Sequence, residues 1–281
     1  MREWPLPGRY AGASGEVRWA CLGEETAEPV VLLHGTPFSS YIWRDIAAAL
    51  ATRYRVYVWD MPGYGRSAGH AGPDLSLGAL AATFAGLLGH WGLTEPLVVA
   101  HDSGAAVALG AHLLHGVPYG RLALADAVAL APWGSAFFEA AGAHPEAFAR
   151  LPAEPHDALI RAYVGTASAA GLHPPTLEAL TAPWLGDLGR AAFHRQLAQR
   201  TGDPAYVERL QGRYDRMDVP TLVCWGAEDR WISPERGREL AARIPGAGLR
   251  VLPGAGHLIQ EDRPAELTAH LLAFLQEGDG S

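Results

Sequence analysis

The sequence predicts an α/β fold: a mostly parallel central sheet flanked by helices, with a helical segment inserted between two of its strands. Three observations carry this. The run Leu97-Val98-Val99-Ala100-His101-Asp102-Ser103-Gly104-Ala105-Ala106 reads as a strand, a sharp turn and a helix. Short apolar runs alternate with stretches of helical spacing along most of the chain, the pattern of strands buried on both faces of a parallel sheet. From Pro132 to about Met217 the strand pattern stops, and Pro145, Pro152, Pro155, Pro174, Pro175, Pro183 and Pro204 punctuate short helical pieces. The expected organisation is a core made of residues 1–131 and 218–281 with a helical cap at 132–217.

Taken in order, Tyr10 to Leu22 alternates weakly, as an edge hairpin does, and Val30-Val31-Leu32-Leu33 is a buried strand that delivers His34-Gly35-Thr36-Pro37 to its carboxyl end. Open α/β sheets bind their ligands at that end. Phe38 to Leu50 turns helical. Tyr54 to Trp59 is a strand that opens into the Gly- and Pro-punctuated loop Asp60-Met61-Pro62-Gly63-Tyr64-Gly65-Arg66-Ser67. Leu77 to Trp91 has helical spacing. Leu122 to Ala131 reads as one strand with Asp126 near its middle. After the cap, strands resume at Val219–Trp225 and Leu249–Leu252, leading to the loops that hold Asp229 and His257, and Pro264 to Leu275 closes the fold as an amphipathic helix.

The 281 residues are enough to bury a large core. With 22 Lys+Arg against 30 Asp+Glu, the formal net charge of -8 gives no electrostatic footprint for nucleic acid or anionic lipid, so a small neutral organic substrate is the expected partner. No run is long and uncharged enough to span a bilayer, and Met1 to Gly8 lacks the basic and apolar regions of a signal peptide. A soluble cytoplasmic protein is expected. Cys21 and Cys224 sit in strand-like contexts without metal-ligand spacing, and neither a metal nor a cofactor is expected. The sequence carries no signal for an oligomeric state.

The turn after Val99 carries the chemistry. A nucleophile on a strained strand-to-helix turn needs small residues two before and two after it, because backbones approach closely there. Ala100 and Gly104 meet that demand around Asp102, whereas Ser103 as nucleophile would put the His101 imidazole in the tight position. A buried strand followed by a helix that Asp102 merely caps would share the pattern taken alone. Downstream, however, Asp229 and His257 each stand just beyond a strand end, in the chain order nucleophile, acid, histidine. Asp126 is a reserve for the acid.

The chain resembles the haloalkane dehalogenase and epoxide hydrolase branch of the α/β-hydrolase superfamily along nearly all of the core. The carriers are His34-Gly35-Thr36-Pro37, Ser39-Ser40-Tyr41-Ile42-Trp43-Arg44, the elbow Ala100-His101-Asp102-Ser103-Gly104, and Gly254-Ala255-Gly256-His257-Leu258-Ile259-Gln260-Glu261-Asp262. The resemblance implies that Asp102 attacks carbon, that the backbone N–H groups of Thr36 and Ser103 form the oxyanion hole, and that His257, oriented by Asp229, activates water. Asp126 resembles the position where some dehalogenases carry their acid instead.

A carboxylate is already ionised near neutral pH and needs no base to attack saturated carbon, whereas its attack on an ordinary ester would give a high-energy anhydride. The histidine is then needed to hydrolyse the enzyme ester. Two positions depart from the dehalogenase pattern, which places Trp after the nucleophile and often Asn in the slot held by Thr36, both aimed at the halide. Ser103 and Thr36 occupy them here. Trp133 or Trp184 from the cap could replace those donors, while Tyr163 could protonate the oxygen of an opening epoxide. The expected activity leans toward epoxide hydrolysis, with haloalkane dehalogenation, a serine-type esterase using Ser103, and a non-hydrolytic binding protein on the same scaffold as alternatives.

Overall fold

A computed structural model describes residues 4–70, 74–200 and 205–276. Its centre is one eight-stranded sheet in the order β1-β2-β4-β3-β5-β6-β7-β8. The strands are β1 (Gly8–Gly12), β2 (Gly15–Leu22), β3 (Pro29–Leu33), β4 (Arg55–Asp60), β5 (Leu97–His101), β6 (Arg121–Ala125), β7 (Thr221–Gly226) and β8 (Gly248–Leu252). The expected hairpin forms the antiparallel edge: β1 pairs antiparallel with β2 and β2 with β4, and every pairing from β4 to β8 is parallel. All five residues of β5 are buried, which is why it reads as an unbroken apolar run. Because β4 lies on one side of β3 and β5 on the other, the strand order reverses at the carboxyl ends of β3 and β5, where such sheets bind ligands.

On the core side the helices are α1 (Arg44–Leu50), α2 (Leu77–Trp91) and α3 (Ser103–His115). Ser76 caps α2 by accepting from Ala79 N–H, and Gly92 ends it in the left-handed region at φ 69°. The Ala- and Gly-rich α3 is buried continuously from Ser103 to Ala111, as a helix apolar all round must be.

The strand expected at Leu122–Ala131 is shorter in the structure. β6 ends at Ala125, and Asp126 turns the chain with φ 42° instead of lying within the strand. Val128 N–H then donates to Asp102 O at 3.0 Å, leaving the sheet. Ala127 to Leu130 are nonetheless buried, which is why their apolar character imitated a longer strand.

Between β6 and β7 the described residues hold helices and turns and no strand: α4 (Ala136–Ala143), α5 (Pro145–Ala149), α6 (Ala153–Gly165), α7 (Pro174–Thr181), α8 (Gly186–Arg200) and α9 (Ala205–Gln211). Hydrogen bonds tie this insertion to the core at several places. Leu258 N–H donates to Ala167 O at 2.8 Å beside the histidine loop, and Gln211 Oε1 accepts from Ala131 N–H at 3.0 Å. After β7 come α10 (Pro234–Arg243), α11 (Ile259–Asp262) and α12 (Pro264–Gln276). No helix among the described residues is long and apolar enough to cross a membrane.

Candidate active site

Asp102 sits between β5 and α3 with φ 50° and ψ -124°, a strained conformation for a residue other than glycine. The small neighbours are required by contact. A Cβ on Gly104 would lie 2.4 Å from His34 O, and one on Gly35 would lie 2.3 Å from Asp102 Cβ, so the β3 loop and the elbow touch through backbone. That closeness brings Thr36 N–H to 2.7 Å from Asp102 Oδ1. Ser103 is the first residue of α3, and its N–H therefore has no acceptor within the helix. Of the two expected oxyanion-hole donors, the structure brings Thr36 N–H onto the carboxylate itself and leaves Ser103 N–H at the positive end of the helix.

The other carboxylate oxygen faces the histidine. His257 Nε2 lies 3.4 Å from Asp102 Oδ2, within ion-pair reach, and His257 Nδ1 donates to Asp229 Oδ2 at 2.9 Å. Asp229 is itself held by the N–H groups of Trp231 and Ile232, at 2.8 and 3.0 Å from Oδ1. Burial opposes charge on His257, but the Asp229 and Asp102 carboxylates outweigh it and raise the imidazole to about 10. The resting site is thus an imidazolium between two carboxylates.

Asp126 stands at the end of the neighbouring strand and does not reach the histidine. Its Oδ1 accepts from Gly226 N–H at 2.8 Å, and among the described residues its Oδ2 has no hydrogen-bond partner. Burial, with Asp229 adding to it, pushes the Asp126 carboxyl well above the usual carboxylate range, favouring its protonated form. The structure gives the orienting contact to Asp229, and among the described residues no hydrogen bond joins Asp126 to the histidine.

Three buried side chains that the sequence did not single out complete the surroundings. His101 Nε2–H donates to the backbone carbonyl of His257 at 2.8 Å, and burial with the charge of His257 holds its own imidazole down at about 3, neutral at working pH. Trp231 stacks on His257 with centroids 4.7 Å apart, favouring the imidazolium. The Tyr64 hydroxyl lies 2.7 Å from Thr36 Oγ1, which lies 2.9 Å from Ser103 Oγ. Each has a signal in hindsight: His101 and Trp231 adjoin the elbow and the acid, and Tyr64 lies in the loop after β4. A buried His34 locks that loop by donating from Nδ1 to Gly35 O and accepting Met61 N–H at Nε2, both at 2.9 Å.

The insertion residues expected to contact substrate are placed differently. Trp184 Nε1–H donates to Pro37 O at 2.5 Å, so its indole N–H is committed to the backbone and is not offered to a halide. Tyr163 is not brought to the carboxylate: its hydroxyl pairs with Ser135 Oγ at 2.7 Å, and its ring packs on Phe137 and Trp231 at 4.2 and 4.1 Å. The aromatic ring that reaches the histidine is Trp231. Trp133 lines a cavity of about 450 Å³ with Gly134, Phe138 and Leu197, and also a smaller one of about 130 Å³ that borders Trp231. Among the described residues no cluster of His, Cys, Asp and Glu has the arrangement of a metal site.

An elbow, an oxyanion donor and an acid–histidine pair at the carboxyl ends of a mostly parallel sheet define an α/β hydrolase. The alpha/beta hydrolase family profile matches residues 30–270, and the chain belongs to that family. A crystallised alpha/beta hydrolase fold protein from Burkholderia ambifaria is 43% identical, covering 97% of this chain and 99% of its own, with a TM-score of 0.90. Epoxide hydrolase A of Mycobacterium tuberculosis is 30% identical across 90% of this chain and 92% of its own length. Haloalkane dehalogenase 2 of the same organism is 27% identical across 96% and 95%.

Proposed function

We propose that the protein hydrolyses small neutral organic molecules through attack of Asp102 on saturated carbon, and that its substrates are epoxides or similarly strained ethers. The observation that carries this is the carboxylate at the elbow, with Thr36 N–H on Oδ1 and His257 facing Oδ2. One oxygen of Asp102 forms a bond to ring carbon as the carbon–oxygen bond of the ring breaks, leaving an alkyl ester. Water then attacks the ester carbonyl while His257 takes its proton, and the N–H groups of Thr36 and Ser103 receive the developing charge. Collapse releases the diol and restores the carboxylate.

The same charges time the histidine. Before attack, two carboxylates keep it protonated. Esterification removes the charge on Asp102, so the imidazole becomes a stronger acid, loses its proton and serves as base in the hydrolytic step. Ser103 is disfavoured as nucleophile because its Oγ pairs with Thr36 Oγ1 while His257 faces Asp102.

An oxygen leaving group is favoured over a halide because the side chains at the two departing positions, Thr36 and Ser103, offer hydroxyl protons. The epoxide hydrolase relative at 30% identity is consistent with this choice. We read the helices of residues 132–217 as a cap that closes the site, with Trp133 on the substrate's route along the cavities it lines. A panel of epoxides, haloalkanes and activated esters, followed by product mass, tests the assignment. Diols formed from epoxides, with an ester accumulating on Asp102 in His257→Gln, are expected; turnover of esters alone, blocked by Ser103→Ala, would refute it.

A further inference from the structure

Opening an epoxide leaves an alkoxide, and the oxygen needs a proton as the bond breaks. Tyr163, the expected donor, has its hydroxyl on Ser135 and its ring against Trp231. Three other hydroxyls form a line beside the nucleophile: Tyr64 to Thr36 at 2.7 Å and Thr36 to Ser103 at 2.9 Å. All three residues are at most 1% exposed. Three hydroxyls carry three protons, and the two bonds between them use two. With Tyr64 donating to Thr36 and Thr36 to Ser103, the remaining proton is on Ser103 Oγ, in the residue that follows Asp102. Thr36 Oγ1 is the hydrogen-bond partner of Ser103 Oγ among the described residues. This direction suits the chemistry, since a phenol, with an ordinary pKa near 10, is by far the strongest acid of the three, and hydrogen bonds in a buried chain polarise one another.

We propose that Ser103, Thr36 and Tyr64 form a proton relay that protonates the leaving oxygen while Asp102 forms the ester. The inference rests on Asp102 being the nucleophile. As the ring bond breaks, its electron pair takes the Ser103 proton. Ser103 takes the Thr36 proton, Thr36 takes the Tyr64 proton, and a Tyr64 phenolate remains. Before the second step the proton that His257 sheds returns to that phenolate through solvent, and the proton that His257 then takes from water restores the imidazolium, so the full cycle consumes one epoxide and one water and leaves no net charge. Ser103 is then a catalytic residue that touches substrate, and Thr36 Oγ1 and Tyr64 act through it.

The test is single-turnover alkylation of Asp102 in a His257→Gln background, where the ester accumulates and can be weighed. Each variant is compared on an epoxide and on a primary alkyl iodide, which leaves without a proton. Tyr64→Phe and, separately, Ser103→Ala are expected to slow the epoxide reaction roughly 100-fold, the low end for a general acid, and to slow the iodide reaction at least tenfold less. The alkaline fall in epoxide alkylation caused by ionisation of the phenol should also vanish in Tyr64→Phe, a change that a packing defect does not produce. Equal slowing of both electrophiles, or of neither, would overturn the relay while leaving Asp102 as nucleophile. Alkylation of the His257→Gln parent by the iodide but not by the epoxide would also overturn it, by assigning the proton to the imidazolium. Labelling by neither electrophile, in an enzyme that turns over epoxides, would overturn both the relay and the nucleophile.

Discussion

The two sides of the candidate site use their polar atoms in opposite ways. On the sheet side, the loops after β3, β5 and β7 and the histidine loop aim theirs at each other across the site: Thr36 N–H at Asp102, His257 at both Asp102 and Asp229. On the insertion side, polar atoms are paired away from it. The Tyr163 hydroxyl is on Ser135 and the Trp184 N–H on Pro37 O, and what the insertion adds is an aromatic wall. Under the proposed function this difference divides the labour, with charge and proton transfer assigned to the sheet and shape and exclusion of water to the insertion. The two acids at the ends of β6 and β7 repeat the lesson within the sheet side. Asp229 accepts three hydrogen bonds and faces the histidine, whereas Asp126, also buried but with one bond among the described residues, has its carboxyl pushed well above the usual range.

Substitutions that remove charge on the sheet side should have the largest effects. Asp102→Ala is expected to lower kcat by at least ~10⁴-fold, while Ser103→Ala leaves a measurable rate. The reverse ranking would move the nucleophile to Ser103. Next comes the contrast between the acids: Asp229→Asn should reduce turnover roughly 10³-fold by releasing the histidine from its orientation, and Asp126→Asn should reduce it far less. Comparable losses in folded variants would return Asp126 to the catalytic unit.

The protonation state of His257 gives a graded test of the same division. In the free enzyme, NMR titration should find its imidazole near 10. Once Asp102 is esterified one of its two anionic neighbours is gone, and the pH dependence of ester hydrolysis should report an apparent value at least one unit lower. An unchanged value would mean that Asp102 does not hold the proton.

Asp126 makes a prediction about stability. Its folded-state carboxyl is raised, so above the unfolded value of about 3.9 the folded protein holds a proton that the unfolded chain has lost, and stability falls as pH rises. Asp126→Asn removes that linkage. The variant should gain a few degrees of melting temperature over the parent at pH 7 and little at pH 4.

The smallest effect should come from the insertion. Tyr163→Phe should cost about 1 kcal/mol of stability through its lost bond to Ser135 and leave the alkylation rate within about twofold. A large drop in alkylation alone would give the insertion a share of the proton chemistry.

What could be read from the sequence follows the same division. Strand ends and the chain order of Asp102, Asp229 and His257 were legible because parallel strands deliver residues to one edge of the sheet, and because Ala100 and Gly104 record backbone contact at the elbow. Asp126 misled because Ala127 to Leu130 are apolar for burial outside the sheet, which periodicity does not separate from a longer strand. The hydroxyl line through Tyr64, the neutral His101 under His257 and the Trp231 stack were not legible, since each depends on residues brought together from different strand ends. Tyr163 and Trp184 are expected from their donor groups and their place in the inserted segment, and neither tells which way a polar atom is paired.

The proposed covalent ester on Asp102 is tested most directly by isotope placement in a single turnover. With enzyme in excess over an epoxide in water enriched in oxygen-18, attack on the ester carbonyl should put the heavy oxygen into the Asp102 carboxylate, detected by peptide mass, and leave the diol unlabelled. Heavy oxygen in the first-turnover diol, with an unlabelled Asp102 peptide, would mean that water attacks the substrate directly and would contradict the account.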